Sequence, residues 1–262
     1  MAEIRDFKDK WALVTGASAG IGAALARELA PHGTKLILTA RRTDRLKALA
    51  AELRANGTEV HIVAADLNDP TGPQQIFDAI AALGLTVDIL VNNAGLGQYG
   101  AFVSSPMEQE LSQVRVNCEA VVHLTRLFLP GMVERRRGWV LVVASVASFQ
   151  PVPYISAYAA TKAFDRMFAL GVAAEVARFG VKVTALCPGP TESEFFEVAR
   201  AEKLKNRRIQ PAADVARLGV AALARGRRTM IPYFGGKFIA LLVRFLPAPV
   251  ITWIVEKSVR PE

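Results

Sequence analysis

The sequence predicts an α/β fold: a single domain on a doubly wound, seven-stranded parallel sheet flanked by helices, with a C-terminal helical extension. Three observations predict it. Near-continuous runs rich in Val, Ile and Leu recur through the first 190 residues, the pattern of strands buried on both faces. Stretches with helical periodicity separate these runs, and strand–helix repetition builds right-handed βαβ units. The chain has 262 residues, 52% hydrophobic and 21% charged, enough for one large core and incompatible with a disordered chain.

In order, the strand runs are residues 11–14, 35–38, 60–64, 88–91, 139–143 and 182–186. The helical stretches between them are 21–30, 44–54, 74–83, 107–134 and 157–178. Asp44 reads as a cap in the first turn of the second helix. No composition break divides the first 190 residues. Beyond Pro190 the texture changes. Residues 192–206 read as an amphipathic insertion, part of a substrate lid over about 190–210; 214–224 read as a helix and 229–233 as a short last strand. Residues 1–232 then form the cofactor-binding catalytic domain and 233–262 its helical extension. The apolar stretch 238–255 carries Arg244, Pro247 and Pro249, so it predicts two short amphipathic helices around a proline corner and not a membrane span. Phe238, Leu241, Leu242, Phe245 and Leu246 recur at helical spacing and require a covering surface. That surface is the chain itself, a second copy, or a membrane met by Lys237, Arg244, Lys257, Arg260 and Trp253.

Lys and Arg exceed Asp and Glu by 32 − 24 = 8, but the basic residues are scattered without a long basic arm, so no nucleic-acid partner is expected. Cys118 and Cys187 lie in apolar stretches and form no metal-ligand spacing with His32, His61 or His123; no metal is expected, and buried free thiols suit a reducing compartment. The charged first ten residues have no apolar signal core. The expected location is cytoplasmic, with the tail as a contact to the inner face of a membrane.

The first strand run leads into Thr15-Gly16-Ala17-Ser18-Ala19-Gly20-Ile21-Gly22. Glycines at such a strand-to-helix turn let backbone approach a phosphate, and the helix start directs free N–H groups and its positive dipole end at it. The spacing is one residue longer than the common Gly-x-Gly-x-x-Gly, yet its place after the first strand predicts a Rossmann dinucleotide site. After the second run come Arg41 and Arg42 with no acid at that turn, which favours the 2′-phosphate of NADP(H) over NAD, with Arg41 the first candidate. Tyr158 and Lys162 stand at i and i+4, on one face of a helix. A nearby ammonium favours a phenolate, making the pair a usable proton donor and acceptor. Ser145 lies thirteen residues upstream, just past the strand run at 139–143.

In these motifs the sequence resembles the short-chain dehydrogenase/reductase family over residues 8–190. Asp66-Leu67, Asn92-Asn93-Ala94-Gly95, Asn117 and Pro188-Gly189 complete the pattern in order. The resemblance implies that Tyr158 protonates a carbonyl oxygen as hydride arrives and that Ser145 positions that oxygen. Lys162 would hold the nicotinamide ribose and lower the tyrosine pKa, and Asn117 would anchor a water leading to Lys162. Cofactor contacts are implied for Gly16, Ser18, Ala19, Gly20, Ile21 and Gly22, for Asp66 and Leu67 at the adenine, and for Asn93, Ala94 and Gly95 near the ribose. Pro188, Gly189 and Thr191 would border the nicotinamide.

The expected reaction is NADP(H)-dependent hydride transfer to or from an apolar carbonyl or secondary alcohol, ketoacyl, steroid-like or otherwise lipid-like. Ser145, Ala147, Phe149, Pro153, Phe195 and Phe196 are the candidate substrate pocket, with Leu96, Val146 and Val152 beside them. A homodimer or homotetramer is expected. The competing reading is a non-catalytic NADP-binding regulator on the same fold.

Overall fold

A computed structural model describes residues 2–199, 201 and 209–260. Seven parallel strands form one sheet in the order β3-β2-β1-β4-β5-β6-β7. They are β1 (Trp11–Thr15), β2 (Lys35–Thr39), β3 (Val60–Ile62), β4 (Val87–Asn92), β5 (Gly138–Val143), β6 (Val181–Leu186) and β7 (Thr229–Met230). The order in which the chain adds strands reverses between β1 and β4, and a crevice opens there beyond the strands' carboxyl ends.

The apolar runs divide residue by residue between two cores, because successive strand side chains point to opposite faces. Ala12, Val14, Leu36, Leu38, Leu141 and Val143 pack with α1 (Gly20–Leu29), α2 (Thr43–Ala55) and α8 (Ala212–Ala224). Leu13, Ile37, Leu90, Val140, Val142 and Val183 pack with α3 (Gly72–Ala82), α5 (Ala120–Glu134) and α6 (Ser156–Val176). A fully buried Leu or Ile contributes about 1.5–3 kcal/mol relative to exposure, so this two-sided burial is the main force holding the sheet. The first core extends to Phe7, whose ring meets Trp139 edge-on at 5.2 Å, a contact the charged N-terminal stretch does not announce.

Three expectations change. The stretch 107–134 is not one regular helix: α4 (Met107–Val114) runs into a π-helical turn at Arg115–Glu119 before α5 begins. The last strand is two residues, not five. In the insertion, α7 is a single turn, Phe195–Val198, while residues 200 and 202–208 lie outside the described residues.

The tail does form two short helices, α9 (Phe234–Leu242) and α10 (Ala248–Val259), with Pro247 capping the second. Among the described residues no helix is long and apolar enough to cross a membrane. Gly236 and Ala240 face inward, and a Cβ on Gly236 would lie 2.5 Å from Val146, so α9 sits close against the 146–149 turn. The outer face stays uncovered: Phe234 is 85%, Phe238 61% and Phe245 77% exposed. The described residues therefore do not supply the cover that the helical spacing demanded.

Candidate active site

The crevice is a cavity of about 430 Å³ running from the glycine turn, past the ends of β4 and β5, to α10. Gly16 and Gly20 adopt positive φ (65° and 53°), which glycine reaches without strain. A Cβ on Gly22 would fall 2.3 Å from the Gly16 carbonyl oxygen, so only glycine lets α1 start this close to β1. The turn is braced from β4. Thr15 Oγ1 donates to the Val91 carbonyl (3.1 Å) and accepts from the amides of Asn93 (2.9 Å) and Ala94 (3.0 Å). The Asn93 side chain donates to the Thr15 carbonyl at 2.8 Å. Asn93 thus lines the cavity and also props the turn.

Ser18, Ala19, Ile21, Arg41, Arg42, Asp66, Leu67, Ala94 and Gly95 line the same end. The two arginines differ. Arg41 is exposed, 3.9 Å from Asp66, a weak surface pair. Arg42 donates to Ser18 Oγ (3.0 Å) and to Glu194 Oε2 (2.7 Å), and Arg45 also pairs with Glu194. Both arginines line the cavity, and Arg42 is the one that already holds an anionic side chain. Arg45 and Glu194 were missed, since nothing in the linear spacing joins Glu194 to the second helix.

At the other end stand Ser145, Tyr158 and Lys162. Ser145 leaves the end of β5, its Oγ accepting from the Ala147 amide at 3.1 Å, and it is hydrogen-bonded with Tyr158. Lys162 is buried, with Nζ donating to the Val143 carbonyl at 2.8 Å and to Asp165 Oδ2 at 2.9 Å. Burial pushes the Tyr158 phenol up from its ordinary value; Lys162 and Ser145 pull it back and Asp165 adds to the rise. The lowered tyrosine pKa expected from Lys162 is therefore outweighed, and Tyr158 holds its proton at neutral pH. Burial pulls Lys162 down, but Asp165 and Tyr158 outweigh it and raise the ammonium. Burial pushes the Cys118 thiol up to about 12 and Cys187 to about 11, so neither is a ready thiolate.

Asn117 sits in the π turn, fully buried, and its bonds are all placed. Oδ1 accepts from the Leu96 amide (2.8 Å), while Nδ2 reaches the Leu96 carbonyl and Thr161 Oγ1 (both 2.9 Å). It ties the loop after β4 to α6, one residue before Lys162.

Pro188, Gly189 and Thr191 line the cavity; Thr191 donates to the Gly189 carbonyl at 2.9 Å. The substrate-side expectations need correction. Val146, Val152, Leu96 and Phe195 line the cavity, but Ala147, Phe149 and Pro153 do not. The residues after Ser145 form a 3-10 turn, which packs Ala147 toward Val152 and Val259 and turns Phe149 under the Arg166 guanidinium, 4.5 Å from the ring. Phe195 lies against Tyr158 with ring centroids 5.0 Å apart. The Phe196 side chain lies outside the described residues. Sequence reading missed Ile155 and Val259 as lining residues. Val259 is placed by the Tyr99 hydroxyl, which donates to its carbonyl at 2.7 Å across 160 residues of chain.

The family profile of short chain dehydrogenases matches residues 10–204. The chain belongs to the short-chain dehydrogenase/reductase family. It is 39% identical over 188 residues to a short chain dehydrogenase of Pseudocercospora fijiensis, covering 71% of this chain and 61% of that one. It is 36% identical over 199 residues to a very-long-chain 3-oxoacyl-CoA reductase of Anas platyrhynchos, covering 72% and 62%. The chain thus spans somewhat under two thirds of the length of these curated relatives. Among solved structures, a Sphingobium yanoikuyae short-chain dehydrogenase in complex with NADPH superposes with a TM-score of 0.82 at 30% identity, covering 91% of this chain and 96% of that one. Other solved structures of the fold are described with NADP or with NAD.

Proposed function

We propose that the protein is an NADP(H)-dependent oxidoreductase that reduces the carbonyl of an apolar, lipid-like substrate or oxidises the corresponding secondary alcohol. The observation that carries this reading is one cavity joining a braced glycine turn and an arginine pair to Ser145, Tyr158 and Lys162. The cofactor fits this end on the molecule's own terms. Gly16 and Gly22 leave backbone bare where the crevice begins, and Arg42 with Arg45 already holds an anion, the Glu194 carboxylate.

When bound, the cofactor supplies the hydride. Ser145 orients the carbonyl oxygen by a hydrogen bond, and Tyr158 gives that oxygen its proton. Lys162 would hold the cofactor's ribose hydroxyls and opposes the cost of any negative charge on Tyr158. Asn117 keeps the Leu96 backbone and α6 in register beneath them. A tyrosine that keeps its proton at neutral pH suits reduction. A non-catalytic regulator on this fold would not need Ser145 bonded to Tyr158 above a buried Lys162, and that arrangement favours the enzyme.

The wall beyond Tyr158, built by Val146, Val152, Ile155, Phe195 and Val259, favours an acyl chain or ring system. The test is NADPH oxidation with 3-oxoacyl thioesters of increasing length and with steroid ketones. The rate is expected to rise with apolar size until the cavity is filled; no oxidation with any ketone would favour the regulator.

NADPH is expected to bind more tightly than NADH. Arg42→Ala should weaken NADPH by about ten- to a hundredfold, the loss of one charge-assisted contact, and leave NADH nearly unchanged. Fluorescence titration of both cofactors checks this, and equal wild-type affinities would refute the preference.

The outer face of α9 and α10 we assign to an anionic membrane surface at the cytoplasmic side. Exposed Phe234, Phe238, Phe245 and Trp253 are interleaved with exposed Lys237, Arg244, Lys257 and Arg260, while the acid among them, Glu256, is paired to Arg260. A second copy of the chain is assigned instead to the apolar face of Met107, Leu111, Val114, Phe164 and Met167, as a dimer or tetramer. The protein should float with anionic vesicles, and Phe238→Glu/Phe245→Glu should abolish flotation without changing mass in solution. A mass change with no flotation would make the tail a subunit contact.

A further inference from the structure

Asp165 is a charged group that none of the recognised motifs includes. It lies on α6 one turn after Lys162, at 0% exposure, among the apolar residues of the helix's inner face. Its Oδ2 accepts from Lys162 Nζ at 2.9 Å, and its Oδ1 has no hydrogen-bond partner among the described residues. A buried carboxylate with one oxygen unpaired is costly, and well-packed apolar residues in place of a buried ion pair are commonly neutral or stabilising. Stability alone therefore gives no reason for an acid here. Position does. Of the three protons on the Lys162 ammonium, one goes to the Val143 carbonyl and one to Asp165, which fixes Nζ beside Gly95 and Asn117.

We propose that Asp165 is a positioning residue for the Tyr158–Lys162 pair: it pins the lysine ammonium and balances its charge, so that Tyr158 keeps its transferable proton further into the alkaline range. This rests on the reading of Tyr158 as the proton donor. The ionisable groups around Asp165 are Lys162 and Tyr158 on its own helix, Cys118 from the π turn and Cys187 at the end of β6. Lys162 is the charged group that acts on Asp165, and the neighbouring guanidinium, Arg166, stacks on Phe149. Removing the negative charge has one sign at both partners. Lys162 loses the opposite charge that keeps it protonated, and Tyr158 loses a like charge that opposes phenolate. The two titrate as a coupled pair, and both protons leave at lower pH.

The test uses a readout independent of turnover. The difference in tyrosinate absorbance between wild type and Tyr158→Phe isolates Tyr158 from the other three of the four tyrosines. The same difference measured in Asp165→Asn should titrate about one pH unit lower or more. The alkaline limb of the carbonyl-reduction profile should move with it, and Asp165→Glu should restore much of the shift. If Asp165→Asn does not fold, Asp165→Ala takes its place, with the limb low alone and returned by added formate. A folded, uncharged variant whose tyrosine titration and alkaline limb both stay at the wild-type position overturns the proposal. Full turnover in Tyr158→Phe is a separate result, which overturns the reading of Tyr158 and not the pinning of Lys162.

Discussion

Tyr158→Phe is expected to fold, to bind NADPH as wild type does, and to lose carbonyl reduction by about 10²–10⁴-fold, the usual contribution of one positioned proton donor. The substitution removes a single oxygen. The ring keeps its place against Phe195, 5.0 Å away, so packing at the cavity is preserved. What is lost is the phenolic proton and the hydrogen bond with Ser145. Because burial holds the phenol above its ordinary value, the wild-type reduction rate should be flat through neutral pH and fall only on the alkaline side, where the proton is gone. The Phe variant should lose that alkaline limb altogether, its residual rate no longer tracking Tyr158. Steady-state kinetics across pH, beside cofactor titration, check both statements; a Phe variant with wild-type turnover would refute the assignment.

Lys162→Ala should do broader damage. Affinity for cofactor and turnover are both expected to fall, the latter by at least 10²-fold, since the same ammonium is assigned to the ribose hydroxyls and to the charge beside Tyr158. A second cost is structural. Asp165 would be left buried at 0% exposure with its charged partner Lys162 removed, and breaking one side of a buried pair commonly costs about 3–5 kcal/mol. Asp165 escapes part of that cost by taking up a proton, which its raised carboxyl pKa already favours. Thermal melts should therefore show Lys162→Ala well below Tyr158→Phe, by several degrees or more for a chain of this size. Equal melting temperatures would mean that Asp165 is neutral in the folded protein.

What was legible in the sequence was local. Strands buried on both faces must be apolar at every position, so the six main runs could be counted directly and five of them map closely onto β1, β2, β4, β5 and β6. The glycine turn was legible because its constraint lies within seven residues: a Cβ at Gly22 meets the Gly16 carbonyl. Tyr158 and Lys162 were legible because four residues are one helical turn. The proline corner at 247–249 split the tail as expected, because a ring without an N–H cannot continue a helix interior.

Whatever depended on the chain meeting itself was decided only in three dimensions. A run of apolar helix residues does not reveal that one turn widens to π at 115–119 and delivers Asn117 to Leu96 and Thr161. Phe149 looked like a pocket residue because it follows Ser145, but a 3-10 turn carries its ring beneath Arg166. Glu194 and Arg42 lie 152 residues apart, and Tyr99 and Val259 lie 160 apart, so no spacing rule could join them. Asp165 sat in plain view, three residues from Lys162, yet on sequence alone an acid at that spacing is as well explained by a solvated helix face. Only the packing of α6 against the sheet shows that face to be the interior, where a carboxylate lacks water and must take its partner from the protein.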